Sequence, residues 1–334
     1  MTRVPVDCWY AVAFCSDVSD ALLPVQAAGC SAVLYRTAAG SVAALDDCCI
    51  HRPYPLSLGS LARDVVRCGL CGFEYDATGR CVRVPTQPRV PVGAAVRAYP
   101  VREEHGLVWL WLGEPGRAVR HRVPSLPWLS DPSWASVSGA LTVAASFLLL
   151  HESFADVTKI PVLAPEIAPD VLAAAPPPLD VVVSETTVAL RRSFPAARLP
   201  SWQARALGAG ADAPFEHDQY GEFASPAAWV DHWDVSGGGR VARMRFVQLV
   251  TPISAAESRL TWIVSRDFAL DDDETGKHLA GMFESYYPRL AQALEITQTL
   301  QSQGRSGSVN VAADVAALKV REIVRALLAE ELGR

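Results

Sequence analysis

From residue 6 to residue 112 the apolar positions fall in short runs separated by Gly, Pro and Asp, with no helical period between them. The runs Trp9–Phe14, Ala32–Tyr35, Val42–Leu45, Val65–Cys68 and Leu107–Leu112 read as strands of a small all-β domain. A Pro-rich crossing, Val123–Trp128, ends this text. Beyond about residue 135 the pattern mixes. Ser146–Ile160 carries apolar residues near period 3.6, which predicts a helix stopped by Pro161. Ala173–Leu179 reads as a surface linker, and 186–194, 240–250 and 260–268 as longer strands. Gly237–Gly239 predicts a hairpin turn, not a phosphate loop, because no helix start follows it. Helices are predicted over 276–302 and 310–332, the last packing on the sheet through Val315, Leu318, Val320, Ile323, Val324 and Leu327.

Composition narrows the classes. Half of the 334 residues are apolar and 20% are charged, enough for one large domain or two ordinary ones with real cores and too apolar for wholesale disorder. The net charge of −6, without basic runs, argues against nucleic-acid binding. The longest apolar stretch, Leu141–Leu150, is too short to span a membrane, and the N-terminus lacks the apolar run of a signal peptide. A cytoplasmic, reducing location is expected, where eight cysteines read as thiols or metal ligands before disulfides.

Cys8, Cys15 and Cys30 are scattered through strand-like text and read as small buried hydrophobes. Cys48, Cys49, Cys68, Cys71 and Cys81 crowd together with His51. Cys49-Ile-His51 and Cys68-Gly-Leu-Cys71 form two short ligand pairs, and such pairs on two loop tips can close a tetrahedral sulfur/nitrogen site. Cys48 and Cys81 read as buried neighbours of that site.

The flanking text, CIHRPYPLSLG from Cys49 and CGLCGFEYDATGRCVRVP from Cys68, closely resembles the cluster loops of Rieske non-haem iron oxygenases, whose pattern is C-x-H-R-x-x-P-L-S…C-x-x-H-G-W-x-F/Y-D. One element departs: Cys71 stands where that family has its second histidine. A Rieske cluster owes its raised potential to two imidazoles on one iron, so a thiolate there implies a lower one. The set Cys49, His51, Cys68 and Cys71 suits Zn²⁺ and a three-Cys, one-His [2Fe-2S] cluster about equally.

Further along, Phe147–Pro165 resembles the family's catalytic helix, N-x-x-D-x-x-H-x-x-x-x-H-P. The segments FVQLVTP, WIVSRDF and FESYYP, from Phe246, Trp262 and Phe283, resemble the vanillate- and dicamba-demethylase branch. The resemblance implies an α+β fold: a Rieske-type all-β domain over 1–118, then a helix-grip substrate domain, antiparallel sheet plus long helix, over 119–334. It also places the two iron-binding histidines on Lys159 and Ala164, the carboxylate ligand on Tyr286 and the upstream Asn on Ser153, leaving only the bridging aspartate, Asp156. A protonated amine and a methyl group cannot complete a two-His, one-carboxylate iron site. No mononuclear iron is therefore expected.

His217, Asp231 and His232 read as surface loop residues and not as a relocated triad. His105, His121 and His278 have no partners at ligand spacing. The expected function is a redox-neutral enzyme of cyclase, isomerase or lyase type, placed in biosynthesis, acting on a hydrophobic small molecule in the old cavity. Lys159, Asp156, His151 and Tyr286 are its candidate catalytic groups, with Asp156 and Lys159 on one helix face and Glu152 a turn before. A Lys159–Asp156 salt bridge plugging the vacated iron site is the structural alternative. The other functional readings are a catalytically silent partner subunit of a hetero-oligomeric Rieske oxygenase and a Rieske monooxygenase with unusual ligands. The resemblance further implies a homotrimer or an oligomer of related subunits.

Overall fold

A computed structural model of the chain describes residues 4–168, 177–305, 307 and 309–333, and it divides into two compact units. One holds Val4–Val123 with Thr251–Ser254; the other holds Pro124–Val250 and Ala255–Arg334. No helix among the described residues is long and apolar enough to cross a membrane.

The first unit is all β. Its strands are β1 (Trp9–Phe14), β2 (Leu23–Ala27), β3 (Cys30–Arg36), β4 (Val42–Asp46), β5 (Ser60–Ala62), β6 (Val65–Arg67), β7 (Glu74–Tyr75), β8 (Cys81–Arg83), β9 (Val101–Glu104) and β10 (Leu107–Trp111). They form three sheets, in the orders β1-β10-β9, β2-β3-β4 and β5-β6-β7-β8. Val33, Tyr35, Leu45, Leu56, Val66 and Tyr75 are buried in one cluster with Cys49, Cys68 and Cys81, so the thiols rest on packed apolar side chains. Cys8 is buried as expected, whereas Cys48 is exposed and Cys15 and Cys30 are half-buried.

The second unit is built on a seven-stranded sheet. Its elements are β11 (Ala135–Val143), α1 (Phe147–Ala155), α2 (Ile160–Leu163), β12 (Asp180–Val183), β13 (Val188–Arg198), α3 (Ser201–Ala206), β14 (Pro214–Ser225), β15 (Ala228–Gly237), β16 (Arg240–Ser254), β17 (Glu257–Arg266), α4 (Asp273–Ser302) and α5 (Val315–Leu332). The strand order is β11-β17-β16-β15-β14-β13-β12. Gly238 and Gly239 make the two-residue hairpin between β15 and β16, both with positive φ, as the glycine run predicted. The long helix α4 lies along β11, and Tyr287 stacks on Trp262 with ring centroids 5.1 Å apart. Of the linker expected at 173–179, residues 173–176 lie outside the described residues.

Three expectations change. The catalytic helix stops at Ala155 and not at Pro161: Asp156 is extended, and its carboxylate accepts from the Thr158 amide at 2.9 Å, starting a short 3-10 turn over Val157–Lys159. A local side-chain bond to the backbone competes with helix continuation, and Pro161 sits in the first turn of α2, where its missing N–H costs nothing. Residues 217, 231 and 232, read as loop, lie on β14 and β15. Helix α5 starts at Val315, packs on α1 as well as on β13, and is tied to α1 by Arg321 and Glu152 at 2.7 Å.

Candidate functional sites

In the first unit, the loop after β4 delivers Cys49, and the turn between β6 and β7 delivers Cys68 and Cys71. The Cys49 amide donates to Tyr54 O at 3.0 Å, the Cys68 amide to Phe73 O at 2.8 Å and the Gly72 amide to Cys68 O at 3.0 Å. Gly72 has φ +72°, and a side chain there would also crowd Pro85, so the turn that carries Cys71 needs glycine. All three sulfurs lie within 4.8 Å of one another, with Cys49 and Cys71 3.5 Å apart. Tyr75 Oη, 3.1 Å from Cys49 Sγ, closes the floor.

Burial opposes ionisation of Cys49, but hydrogen bonds from Tyr75, from the amides of His51 and Arg52 and from Cys71 outweigh it and hold its pKa below the ordinary value. Cys71 is pushed up to about 11, by burial first and then by Cys49 and Cys68. The trio therefore ionises at Cys49 before Cys71. His51 stands apart from the three sulfurs: it is exposed and stacked on Phe73, ring centroids 4.9 Å apart. Cys49, Cys68 and Cys71 form the one group of three or more close metal-ligand side chains among the described residues. Three close sulfurs differ from the two thiolates and two imidazoles that hold a Rieske cluster.

The second unit encloses a cavity of about 50 Å³ between the sheet, the α1–α2 connection and α4. Lys159, Ala164 and Tyr286, placed by resemblance at the iron-ligand positions, all line it. Lys159 also borders an outer groove of about 740 Å³ formed by α1, α4, α5 and the chain between the last two; Asp156, Glu152 and Arg321 face that groove. The candidate catalytic set thus separates. Lys159 Nζ donates to the carbonyls of Ser153 and of Asp156 (2.9 Å to the latter), while the Asp156 carboxylate binds the Thr158 amide and hydroxyl. Among the described residues no ion pair joins Lys159 to Asp156, so the expected plug is replaced by a lysine capping main-chain oxygens at the end of α1. His151 is fully buried, its ring edge-on to Phe223 and its Nε2 2.9 Å from Pro226 O; it does not line the cavity. Burial lowers its pKa to about 4.

The residue that sequence reasoning missed is Asp231. It sits on β15 and lines the cavity opposite Lys159's segment, held by Trp229 Nε1 at 2.9 Å on one oxygen and Gln248 Nε2 at 3.3 Å on the other. Its cross-strand partner is Gly221, where a Cβ would come within 2.5 Å of Asp231 Oδ1, so glycine makes the room for the carboxylate. Burial raises the Asp231 pKa to about 7, against the bonds from Trp229 and Gln248 and the charge of Lys159. Burial likewise brings Lys159 down to about 8, opposed by Asp156 and Asp231. Tyr286, half-buried in the same cavity lining, has its pKa raised by desolvation and then by Asp231, so it stays a neutral phenol. Two groups of opposite charge type, both brought close to pH 7, can exchange protons with a bound molecule. His217 and His232 do not join Asp231 in a metal-binding group.

Comparison with known proteins gives the class. Residues 8–100 match the Rieske [2Fe-2S] domain, and 143–330 match the vanillate O-demethylase oxygenase C-terminal domain. The chain belongs to the Rieske oxygenase family. Within it, the second half is of the vanillate O-demethylase type. A vanillate O-demethylase oxygenase subunit of Pseudomonas sp. is 31% identical over 254 residues, 72% of this chain and 77% of that one. A putative toluene-4-sulfonate monooxygenase system iron-sulfur subunit of Comamonas testosteroni is 36% identical over 152 residues, a match that spans only 44% of the relative. The crystal structure of dicamba monooxygenase bound to 3,6-dichlorosalicylic acid superposes with a TM-score of 0.89 over all of both chains at 24% identity, which shows the fold. The Rieske domain implies a [2Fe-2S] cluster, and Cys49, Cys68 and Cys71 are the close-set metal-ligand side chains among the described residues.

Proposed function

We propose that this member of the family has exchanged the mononuclear iron of its second domain for an acid–base site and acts as a redox-neutral enzyme, of cyclase, isomerase or lyase type, on a hydrophobic small molecule. The observation that carries this is the convergence of Lys159, Ala164 and Tyr286 on one cavity that also holds Asp231. None of the first three offers iron what a histidine or carboxylate offers: Lys159 is an ammonium that donates to two carbonyls, Ala164 has no donor and Tyr286 keeps its proton. Lys159 and Asp231 are the proton-transfer pair, with Tyr286 as a hydrogen-bond donor. Asp156 is a turn-forming residue and His151 a core residue. The test is iron analysis of a Cys49→Ser/Cys68→Ser protein, with oxygen uptake by the wild type supplied with a reductase. Less than one-tenth of an iron per chain and no uptake are expected at about pH 7. Stoichiometric iron or oxygenated product overturns the reading.

Cys49, His51, Cys68 and Cys71 form the metal centre of the first domain in this proposal, as zinc or as a three-Cys, one-His [2Fe-2S] cluster. Zinc gives a colourless protein; a cluster gives visible absorption with a potential below that of a two-imidazole cluster. The silent-partner reading is favoured by one observation, the cavity volume of about 50 Å³. Pockets for drug-sized ligands run to about 300–1,000 Å³. A trimer of this chain alone against one formed only with a related subunit, by light scattering, separates the two.

A further inference from the structure

Arg192 on β13 faces Gln219 on β14, its cross-strand partner. Both are buried, 4% and 3% exposed. Arg192 Nε donates to Gln219 Oε1 at 2.8 Å, and the guanidinium lies over the Phe194 ring, 5.3 Å from its centroid. Among the described residues no carboxylate pairs with Arg192. Arg192 Nη2 and Gln219 Nε2 have no hydrogen-bond partner among the described residues. The amide cannot be turned to remove the second vacancy, because its oxygen is already claimed by a guanidinium, which only donates. One unpartnered N–H donor therefore belongs to a buried cation, and the other to the neutral amide bonded to that cation. His217, two residues along β14, is kept neutral by burial, with a pKa lowered to about 4, and supplies no anion.

A buried guanidinium without a counter-charge is unfavourable, and a cationic N–H joined by an amide N–H suits a carboxylate or another oxyanion. Gln219 lines the inner cavity, and Arg192 stands behind it, bonded to its amide oxygen and outside the lining. We propose that Arg192 and Gln219 form a receptor for the oxyanion of a ligand that enters this cavity. The proposal rests on the reading that the cavity takes a small molecule, and it is independent of the chemistry performed there.

Melting temperature is measured on the full chain in chloride buffer, at constant ionic strength, with acetate, benzoate or sulfate added. The carboxylates raise it saturably in the wild type. Arg192→Met and Gln219→Leu weaken the response by about tenfold or more, since each removes a donor to a charged group. Without added anion, Arg192→Met melts no lower than wild type, because the variant lacks the unpaired charge. An equal response to sulfate assigns the receptor to inorganic oxyanions; a response to carboxylates alone assigns it to an organic acid. No anion-dependent shift overturns the proposal. So does an Arg192→Met protein that melts lower than wild type without added anion. The readout is binding, so a benzoate shift without acid–base turnover keeps this site and sinks the catalytic reading alone.

Discussion

Asp231→Asn should stabilise the protein at alkaline pH and leave it unchanged in acid. In the folded chain burial raises the Asp231 pKa from 3.8 to about 7, so the native state holds that proton more tightly than the unfolded chain does. A raised carboxylate pKa contributes stability that is complete below the unfolded value and is lost as pH rises through the folded one. Three units correspond to about 4 kcal/mol at most, at about 1.4 kcal/mol per unit. Asparagine avoids this cost. It keeps an oxygen for Trp229 Nε1, and its amide can donate to Gln248 Oε1, which has no partner among the described residues of the wild type. Against that, Lys159 loses one of the two carboxylates that favour its charge, which trims the gain to about 2–4 kcal/mol. The assay is urea unfolding of both proteins at about pH 4, 5.5 and 8, with stabilities from linear extrapolation. The wild-type curve alone does not report on Asp231. His151, His217 and His232 are each lowered by burial to about 4, so both proteins lose stability as pH falls from 6.5 through that range. The difference between the two proteins cancels this effect. A difference that does not widen with pH, or an Asp231→Asn protein less stable than wild type near pH 8, would refute the argument that the carboxylate is buried at a cost to the fold.

Gly221→Ala should push the Asp231 carboxylate off its two donors and lower stability by about 1–3 kcal/mol in thermal melts, the cost of overpacking a filled site. Lys159→Met should lose about 1–3 kcal/mol in the same measurement, because the carbonyls of Ser153 and Asp156 lose a charged donor; an unchanged melt with unchanged turnover would remove Lys159 from both the structural and the catalytic account. Cys68→Ser should lower bound metal, by elemental analysis, at least about tenfold and melt the first domain earlier, since metal-binding energy is folding energy.

Much of the thiol site was legible in the chain itself. Ligand pairs one or two residues apart lie on single tight turns, so local geometry alone brings Cys68 near Cys71. The resemblance assigned Lys159, Ala164 and Tyr286 to one centre, and all three line one cavity. The glycine hairpin and the long C-terminal helices followed from turn chemistry and periodicity. What escaped were β14 and β15. Their inward faces carry His217, Gln219 and Asp231, polar residues at positions where strand alternation is normally apolar, so the period-2 signal vanished where the site lies. The helix break at Asp156 depended on one side-chain bond to the backbone, which periodicity does not register. Sequence thus determined which local turns could gather ligands and which family the chain resembles. Tertiary structure decided which charges were buried: Asp231 and Arg192 come from strands far from Lys159 in sequence, and their energetics arise from desolvation by the packed sheet and helix, which no local pattern encodes.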